Sequence, residues 1–279
     1  MGVVGDKVQA ARRLVPLTVL VALARRRAEA LWDNAEYRAS QVDEMRFVLE
    51  NTGRTAEIED VARAYVEFAT LRNYRRWHPG HLTRQPVEGI EHLTEKRDRD
   101  RGVVLSFLHH GQYDGLFGSL ARHGVEIHAV CAPEAFDPHC PVQLRQHFKV
   151  VGIAPETTLV PATVGSAGMA ELLAGGAVLA IASDVAGRTP IDFLGHRING
   201  SFGAARLATQ TNSPVVLVTS HRDPSGSPRL RVHAPLEPGD FADPADLLQE
   251  MLDRHTEAVL AWPEAFDSPY GRLVLAAAG

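Results

Sequence analysis

The amino-acid sequence predicts an α/β fold, with a central and mostly parallel sheet flanked by helices and preceded by an N-terminal helical segment. First, short apolar runs rich in β-branched residues alternate with helical patterns from Val103 onward, which is the order typical of layered α/β domains. Second, apolar residues in the preceding part of the chain recur at helical spacing. We therefore divide the chain into an N-terminal helical segment, 1–86, and an α/β part, 87–279, which together form one integrated domain.

The composition is that of an ordinary globular protein, with 45% hydrophobic and 23% charged residues in a chain of 279. A chain of this length can bury a large core without disulfide bonds. Its net charge of −5 gives no general attraction for nucleic acid. Cys131 and Cys140 are its two cysteines, and their spacing fits no zinc site. Two thiols in so long a chain indicate a reducing compartment such as the cytoplasm.

The N-terminal segment contains an apolar run at 14–24, with two arginines before it and three after it. The run is too short to span a bilayer. It imitates a secretory signal, but Asp6 upstream and Pro16 within the run argue against one. We favour a retained helix that lies on or near a membrane surface, with its arginines towards anionic lipid. The alternative is a core helix whose arginines are solvated.

Helical patterns continue over 35–77, interrupted by a turn at 51–53. The predicted strands of the α/β part lie at 103–108, 125–131, 177–182, 215–220 and 230–234. The predicted helices of the α/β part begin near Tyr113 and otherwise lie at 141–148, 167–174, 203–210 and 246–261. This alternation supports the layered α/β architecture.

His109 directly follows the strand at 103–108, and Gly111 lets the backbone turn before the next helix begins. Side chains at the carboxyl end of such a strand face the crevice where open α/β sheets bind ligands. Asp114 lies in the first helical turn, where the helix dipole favours a carboxylate. We expect the His109 ring and Asp114 to meet as a base and its orienter. Such a pair can take a proton from a hydroxyl or amine that attacks an activated acyl group.

Two alternatives remain open for this motif. His109 can be a satisfied histidine at a strand end that has no chemical role. The adjacent His110 is a competing base, although its side chain points to the opposite side if the strand geometry continues through it.

Asp184 repeats this placement after the strand at 177–182, and a glycine-containing loop with Arg188 follows it. A charged residue directly after a core strand is either a cap for the following turn or a site residue. Because His109 occupies the same position after another predicted strand, a crevice shared by the two becomes more credible.

The segment 109–114, HHGQYD, resembles the H-x-G-N-W-[DE] motif of the lipid A lauroyl/myristoyl acyltransferase family, which includes the phosphatidylinositol mannoside acyltransferases of actinobacteria. Other segments resemble further family motifs in the same order: EGIEHL at 88–93, LLAGG at 172–176, the acidic position at Asp184, DFLG at 192–195, GAARLA at 203–208 and SPVV at 213–216. These matches extend over roughly half of the chain.

The resemblance implies an acyltransferase fold and an enzyme without a metal or bound cofactor, whose co-substrate is an acyl-CoA or acyl-carrier-protein thioester. The acceptor is then a hydroxyl or amine of a glycolipid-like molecule. His109 takes the acceptor proton and Asp114 steadies the imidazolium, with Asp184 and Arg188 in support. The residues expected to bind substrate are Gly111, Gln112, Tyr113, Arg145 and Lys149. The protein is expected in the cytoplasm, with peripheral contact to the inner face of the membrane.

The sequence also departs from the family pattern. Gln112 and Tyr113 replace the usual Asn and Trp, and the long transmembrane N-terminus of the lipid A enzymes is missing. Three alternatives therefore stay open: a soluble tailoring acyltransferase that acts on a natural product, a hydrolase on the same layers, and a non-enzymatic lipid or acyl-carrier binding protein. The hydrolase is weakened because the sequence contains no G-x-S-x-G motif.

Overall fold

A computed structural model describes residues 11–275, so residues 1–10 of the predicted N-terminal segment, including Asp6, lie outside the described range. The strands are β1 (Val87–Glu88), β2 (Val103–Phe107), β3 (Ile127–Cys131), β4 (Thr157–Pro161), β5 (Val178–Ala182), β6 (Ala186–Phe193), β7 (His196–Gly200), β8 (Val215–Arg222) and β9 (Pro228–Val232). The α-helices are α1 (Leu17–Trp32), α2 (Ala35–Leu49), α3 (Ile58–Arg75), α4 (Leu116–Ala121), α5 (Val142–Val151), α6 (Gly165–Ala174), α7 (Gly203–Thr211) and α8 (Pro244–Ala261).

Seven strands form one central sheet in the order β1-β9-β8-β2-β5-β3-β4. All neighbouring strands run parallel except β8 and β9, which are antiparallel. The remaining two strands, β6 and β7, form a separate antiparallel hairpin. The prediction of an α/β fold with a mostly parallel central sheet flanked by helices is therefore confirmed.

Three regions of extended chain were not predicted: the two-residue edge strand β1, the other edge strand β4, and the hairpin of β6 and β7. The edge strand β4 mixes buried, partly buried and exposed positions, begins with two threonines and ends in Pro161, so it offers no continuous apolar run. The hairpin of β6 and β7 lies outside the main sheet and is rich in polar residues and glycine. Strands that are not buried on both faces lose the apolar signal by which the central strands were found.

The two faces of the sheet are covered by different helices, and alternate residues of the fully buried β2 reach each side. Val104 belongs to a core that also contains residues of α2, α3, α7 and α8. Val103, Leu105 and Phe107 belong to the opposite core, to which α4 contributes Leu116. The N-terminal helices therefore share a hydrophobic core with the sheet.

Helix α1 packs through Leu20, Ala24 and Ala28, which are buried, and contacts α3. Its exposed side carries Val19 and Leu23, each 46% exposed, together with the exposed arginines at 25–27. Within residues 11–275, no helix has the length and apolar character needed to cross a bilayer.

Candidate active site

The register of the central sheet brings His109 and Asp184 together. Strands β2 and β5 are parallel neighbours in which Phe107 lies opposite Ala182, and both site residues follow two positions later. The backbone N–H of Ser183 donates to the carbonyl of Phe107 at 2.9 Å, which extends the strand pairing beyond the strand ends. His109 and Asp184 are therefore opposite one another at the carboxyl edge of the sheet, where open α/β folds bind ligands.

The Asp184 carboxylate holds His109 at two points. Its Oδ1 lies 2.8 Å from Nδ1 of the His109 ring, and its Oδ2 accepts from the His109 backbone N–H at 2.9 Å. Burial of Asp184 acts to raise its pKa, but the charge and hydrogen bonds of His109, together with the charge of Arg272, outweigh burial and lower the pKa. Asp184 is therefore an anion that fixes one side of the ring, while Nε2 of His109 has no hydrogen-bond partner among the described residues.

A cavity of about 610 Å³ opens beside His109. Most of its lining is apolar and comes from both sides of the strand ends, including Phe107, Phe117, Val130, Val151, Met169 and Ile181. His109, Tyr113, His147 and Arg272 contribute polar groups to the same cavity. The cavity thus combines a largely apolar lining with a small number of polar groups, as small-molecule sites commonly do.

Asp114 does not contact the His109 ring, so the predicted pairing of these two residues is wrong. The 3₁₀ turn Tyr113–Gly115 directs the Asp114 carboxylate instead towards α3 and α5. There it accepts from Nε of Arg76 at 3.1 Å and from Nδ1 of His147. Burial opposes ionisation, but Arg76 and His147 outweigh it and hold the pKa of Asp114 well below its usual range.

Tyr113 connects the His109 region to the C-terminal segment. Its ring packs edge-on against the His109 ring, with 4.8 Å between the centroids. Its hydroxyl donates to Oδ2 of Asp267 at 2.8 Å, and the Asp267 backbone N–H donates to the His109 carbonyl at 2.8 Å. Arg72 and Arg272 both pair with the Asp267 carboxylate. Sequence reasoning missed Arg72, Asp267 and Arg272, because no local pattern relates residues so far apart in the chain.

His110 faces away from the cavity. Its Nε2 lies 2.9 Å from the carbonyl of Trp262, and its ring packs edge-on against Trp262 and Phe266. Burial lowers the pKa of His110 to about 4. A buried ring held in this way can reach no substrate in the cavity.

Gly111 and Gln112, both expected to bind substrate, do not line the cavity. Gly111 adopts a φ of +69°, and a Cβ at this position would lie 2.3 Å from the Cβ of Ser220. It therefore shapes the turn after His109 by allowing close backbone packing. Gln112 is buried, and its carbonyl accepts from Nε2 of Gln85 at 3.1 Å.

The three cationic residues that we expected at the site also do not line the cavity. Arg145 and Lys149 are on α5, but the cavity receives His147 and Val151 from that helix, which lie on another side of it. Arg145 donates to the carbonyl of Pro138 at 3.2 Å. Arg188 is exposed on β6. The expected roles of these three residues at the site are not supported by their positions.

The described part of the chain contains no group of three or more His, Cys, Asp or Glu side chains arranged to hold a metal ion. His78 places Nε2 2.9 Å from the carbonyl of Val15. Cys131 and Cys140 are both free and buried.

The fold and the site define a class: an α/β protein with a strand-end His–carboxylate pair that opens into a mostly apolar cavity. The family model for bacterial lipid A biosynthesis acyltransferase matches residues 55–267, which is more than half of the chain. The chain therefore belongs to this family and is an acyltransferase of lipid biosynthesis. The family resemblance read from the sequence motifs is confirmed.

A solved structure is also similar to this chain: the crystal structure of the 1-acyl-sn-glycerophosphate (LPA) acyltransferase, PlsC, from Thermotoga maritima. The two share 14% sequence identity, with a TM-score of 0.43, over 92% of this chain and 97% of that chain. No curated protein matches the sequence.

Proposed function

We propose that the protein moves a fatty acyl group from an acyl-CoA or acyl-carrier-protein thioester to a hydroxyl or amine of a glycolipid-like acceptor, with His109 as the general base. The observation that carries this proposal is the His109 ring itself. Its Nδ1 is held by the buried Asp184 carboxylate at 2.8 Å, and the ring lines a mostly apolar cavity. The proposal keeps the predicted base but replaces Asp114 with Asp184 as its orienter.

The proton transfer follows from this hydrogen bond. An ionised Asp184 accepts the Nδ1 proton of a neutral His109, which leaves the lone pair on Nε2. The acceptor hydroxyl gives its proton to Nε2 while its oxygen attacks the thioester carbon. Asp184 stabilises the imidazolium that forms. The carbon–sulfur bond then breaks, and the proton passes from His109 to the departing thiolate.

Direct attack is favoured over an acyl-enzyme intermediate. Cys131 lines the cavity, but burial raises the pKa of its thiol to about 11, so the reactive thiolate is scarce near neutral pH. Ser166 and Ser201 also line the cavity, yet neither hydrogen-bonds to His109 in the described structure. The acceptor itself therefore serves as the nucleophile.

The cavity fits the acyl chain of such a donor. Its volume of about 610 Å³ lies within the roughly 300–1,000 Å³ usual for small-molecule sites. Burial of an alkyl chain against Phe117, Val130 and Ile181 is favourable by about 0.8 kcal/mol for each CH₂ group removed from water. The thioester carbon would then rest beside His109.

We also propose peripheral membrane contact through α1 and the turn before it. Leu14, Val19 and Leu23 are 87%, 46% and 46% exposed, and the arginines at 25–27 are exposed next to them. An apolar patch beside cations is suited to the surface of an anionic bilayer. Such contact would bring the enzyme to the layer in which a glycolipid acceptor resides.

The proposed reaction is tested with palmitoyl-CoA and palmitoyl-acyl-carrier-protein as donors and a panel of glycolipids and small hydroxylated compounds as acceptors. Mass spectrometry identifies the products for wild type, His109→Ala and His139→Ala, an exposed histidine that serves as control. We expect an acylated glycolipid from wild type and His139→Ala only. Free palmitate as the sole product would indicate a hydrolase, acylation of small compounds alone a tailoring enzyme, and donor binding without turnover a binding protein.

Membrane contact is tested by flotation with phosphatidylglycerol vesicles. Replacing Leu14, Val19 and Leu23 together by serine removes the exposed apolar patch while keeping Leu20 and Ala24, which pack α1 in place. We expect wild type to float with the vesicles and the triple variant to remain in solution. Equal behaviour of the two proteins would contradict the membrane proposal.

A further inference from the structure

The C-terminal segment beyond residue 267, outside the part of the chain that matches the family, supplies a side chain to the active-site cavity. Arg272 lines the cavity together with His109. It is the single arginine or lysine among the described lining residues, and no aspartate or glutamate is among them. A permanent positive charge thus lies in a mostly apolar cavity without a carboxylate in the lining itself.

The Arg272 guanidinium is fixed by hydrogen bonds to Asp267. Its Nε donates to the carbonyl of Asp267 at 2.8 Å, and its Nη2 donates to Oδ2 of the same residue at 3.2 Å. The turn that carries it is fixed by Glu44, which accepts from the backbone N–H of Tyr270 at 2.7 Å and from the hydroxyl of Ser268 at 3.0 Å. No described residue accepts a hydrogen bond from Nη1. The cation is therefore positioned before any substrate arrives.

Three arginines and four carboxylates surround the site, since Glu44 lies at the turn that carries Arg272. Three arginines face three carboxylates through direct pairs or nearby charges, namely Arg72, Arg76 and Arg272 against Asp114, Asp184 and Asp267. When His109 takes a proton and an oxygen of the substrate becomes negative, one charge of each sign is added, so the net charge of the site is unchanged. A negative oxygen next to Arg272 is stabilised by that cation.

We infer that Arg272 binds the negatively charged oxygen that forms on the acyl carbon when the acceptor attacks. This inference rests on the proposed transfer from a thioester. As the acceptor oxygen bonds to the acyl carbon, the electron pair of the carbonyl π bond moves to its oxygen, which Arg272 stabilises. The pair returns when the thiolate leaves, and the charge on that oxygen disappears. A fixed donor of this kind lowers the barrier because it needs no reorganisation during the reaction.

The other nearby arginines are less suited to this role. Arg72 is buried, with a side chain 4% exposed, and pairs with Asp267 and Asp114. Arg76 donates to Asp114 and to Asn73. Neither is among the cavity-lining residues. Arg188, expected from the sequence to support the site, is exposed on β6 and also does not line the cavity.

The first arm of the test needs no turnover. Calorimetry compares the binding of dodecylphosphonate, an anionic tetrahedral mimic, with that of neutral dodecanol in wild type, Arg272→Gln, Arg272→Lys and Arg197→Gln. Arg197 is a matched control, since it pairs with Asp192 on the surface, 64% exposed. We expect Arg272→Gln to weaken phosphonate binding about 10–100-fold while dodecanol binding is kept. If Arg272→Gln weakened the binding of both ligands equally, or of neither, the inference would be overturned.

The second arm measures kcat and KM for palmitoyl-CoA and for the acceptor across pH. We expect Arg272→Gln to lower kcat about 10²–10³-fold on the high-pH plateau, with little change in either KM, and Arg272→Lys to recover part of the loss. A raised acceptor KM with unchanged kcat would assign Arg272 to an anionic group of the acceptor and overturn the inference. A kcat of Arg272→Gln that equals the wild-type kcat at high pH would also overturn the inference. In that case Arg272 would act only on the titration of His109.

The two arms also separate this inference from the proposed function. If wild type turns over neither thioester donor, the proposed transfer fails, while the phosphonate comparison still shows whether Arg272 binds an anionic tetrahedral group. Thermal unfolding of each variant establishes that the fold is kept, which is expected because Asp267 retains Arg72 and Tyr113 as partners.

Discussion

Among the described residues, two histidine–aspartate pairs lie within one small region, and they are built differently. In each, Nδ1 of a histidine meets a fully buried carboxylate: His109 with Asp184, and His147 with Asp114. Asp184 hydrogen-bonds to His109 alone, through both ring and backbone. Asp114 also holds Arg76. The same two residue types thus form a proposed catalytic base in one place and a structural charge cluster in the other. The two pairs differ in whether an arginine also binds the carboxylate, as Arg76 does at Asp114.

The largest expected effect comes from removing the ring of the first pair. His109→Ala should lower the rate of acyl transfer about 10²–10⁴-fold, because a general base contributes roughly that much. The fold should persist, since the ring lies at a cavity wall rather than within the packed core. Rates of palmitoyl transfer and circular dichroism measure the two effects. A folded His109→Ala protein with near-normal rate would remove His109 from the mechanism.

The two aspartates should respond in opposite ways. Asp114→Asn leaves Arg76 and His147 without a buried anion, and breaking a buried ion pair typically costs about 3–5 kcal/mol of unfolding free energy. Asp184→Asn should cost less stability but more rate, because among the described residues Asp184 hydrogen-bonds to His109 alone and forms no direct ion pair with an arginine. Urea unfolding, with rates corrected for the folded fraction, measures both. A loss of rate per folded molecule that is larger in Asp114→Asn would return Asp114 to the role of orienter.

Gly111, in the turn between His109 and Asp114, should not tolerate a side chain. Gly111→Ala adds backbone strain at φ +69° and forces a Cβ onto Ser220, so we expect a loss of about 2–4 kcal/mol in unfolding free energy. Gly124→Ala is the matched control, because its φ is +76° but nothing lies within 4 Å of the added Cβ. Its cost should be about 1–2 kcal/mol. Equal losses in the two variants would show that the Ser220 contact carries no weight.

The effect that is smallest near neutral pH concerns the titration of two buried histidines. Burial lowers the pKa of His110 to about 4 and of His255 to about 3, from an ordinary value of 6.5. As pH falls from 6.5 towards 4, the unfolded chain binds protons that the folded protein refuses, so stability decreases by about 1.4 kcal/mol per pH unit for each of these residues. His255→Gln should reduce this slope of unfolding free energy against pH by one such increment. An unchanged slope would mean that His255 titrates alike in both states.

The sequence predicted the strand ends but not which residues meet there. The strands around 103–108 and 177–182 are mostly apolar and mostly buried, so His109 and Asp184 stand out as polar residues at their ends. The pairing of His109 with Asp184 depends on the register of two strands 75 residues apart, and no local pattern encodes that register. The spacing of His109 and Asp114 suggested a contact that the intervening 3₁₀ turn prevents.

The remaining site residues come from parts of the chain where the sequence gives no chemical signal. Arg72 lies on α3 and Arg272 in the short π-helix Gly271–Leu275, and both reach the site only because helices and sheet share a packed core. An arginine in a sequence is usually solvated, so its burial is visible only in three dimensions. Conversely, Arg145 and Lys149 were chosen for their charge, but their helix presents His147 and Val151 to the cavity.

The central claim, that Asp184 rather than Asp114 holds the ring of His109, is tested most directly by nitrogen NMR of histidine-labelled protein. The spectrum reports which ring nitrogen carries the proton, and His109→Gln assigns the signal. At about two pH units above the ordinary histidine pKa, we expect His109 to carry its proton on Nδ1 in wild type and in Asp114→Asn, and to lose this preference in Asp184→Asn. A proton on Nε2 in wild type, or a preference lost in Asp114→Asn but kept in Asp184→Asn, would contradict the claim.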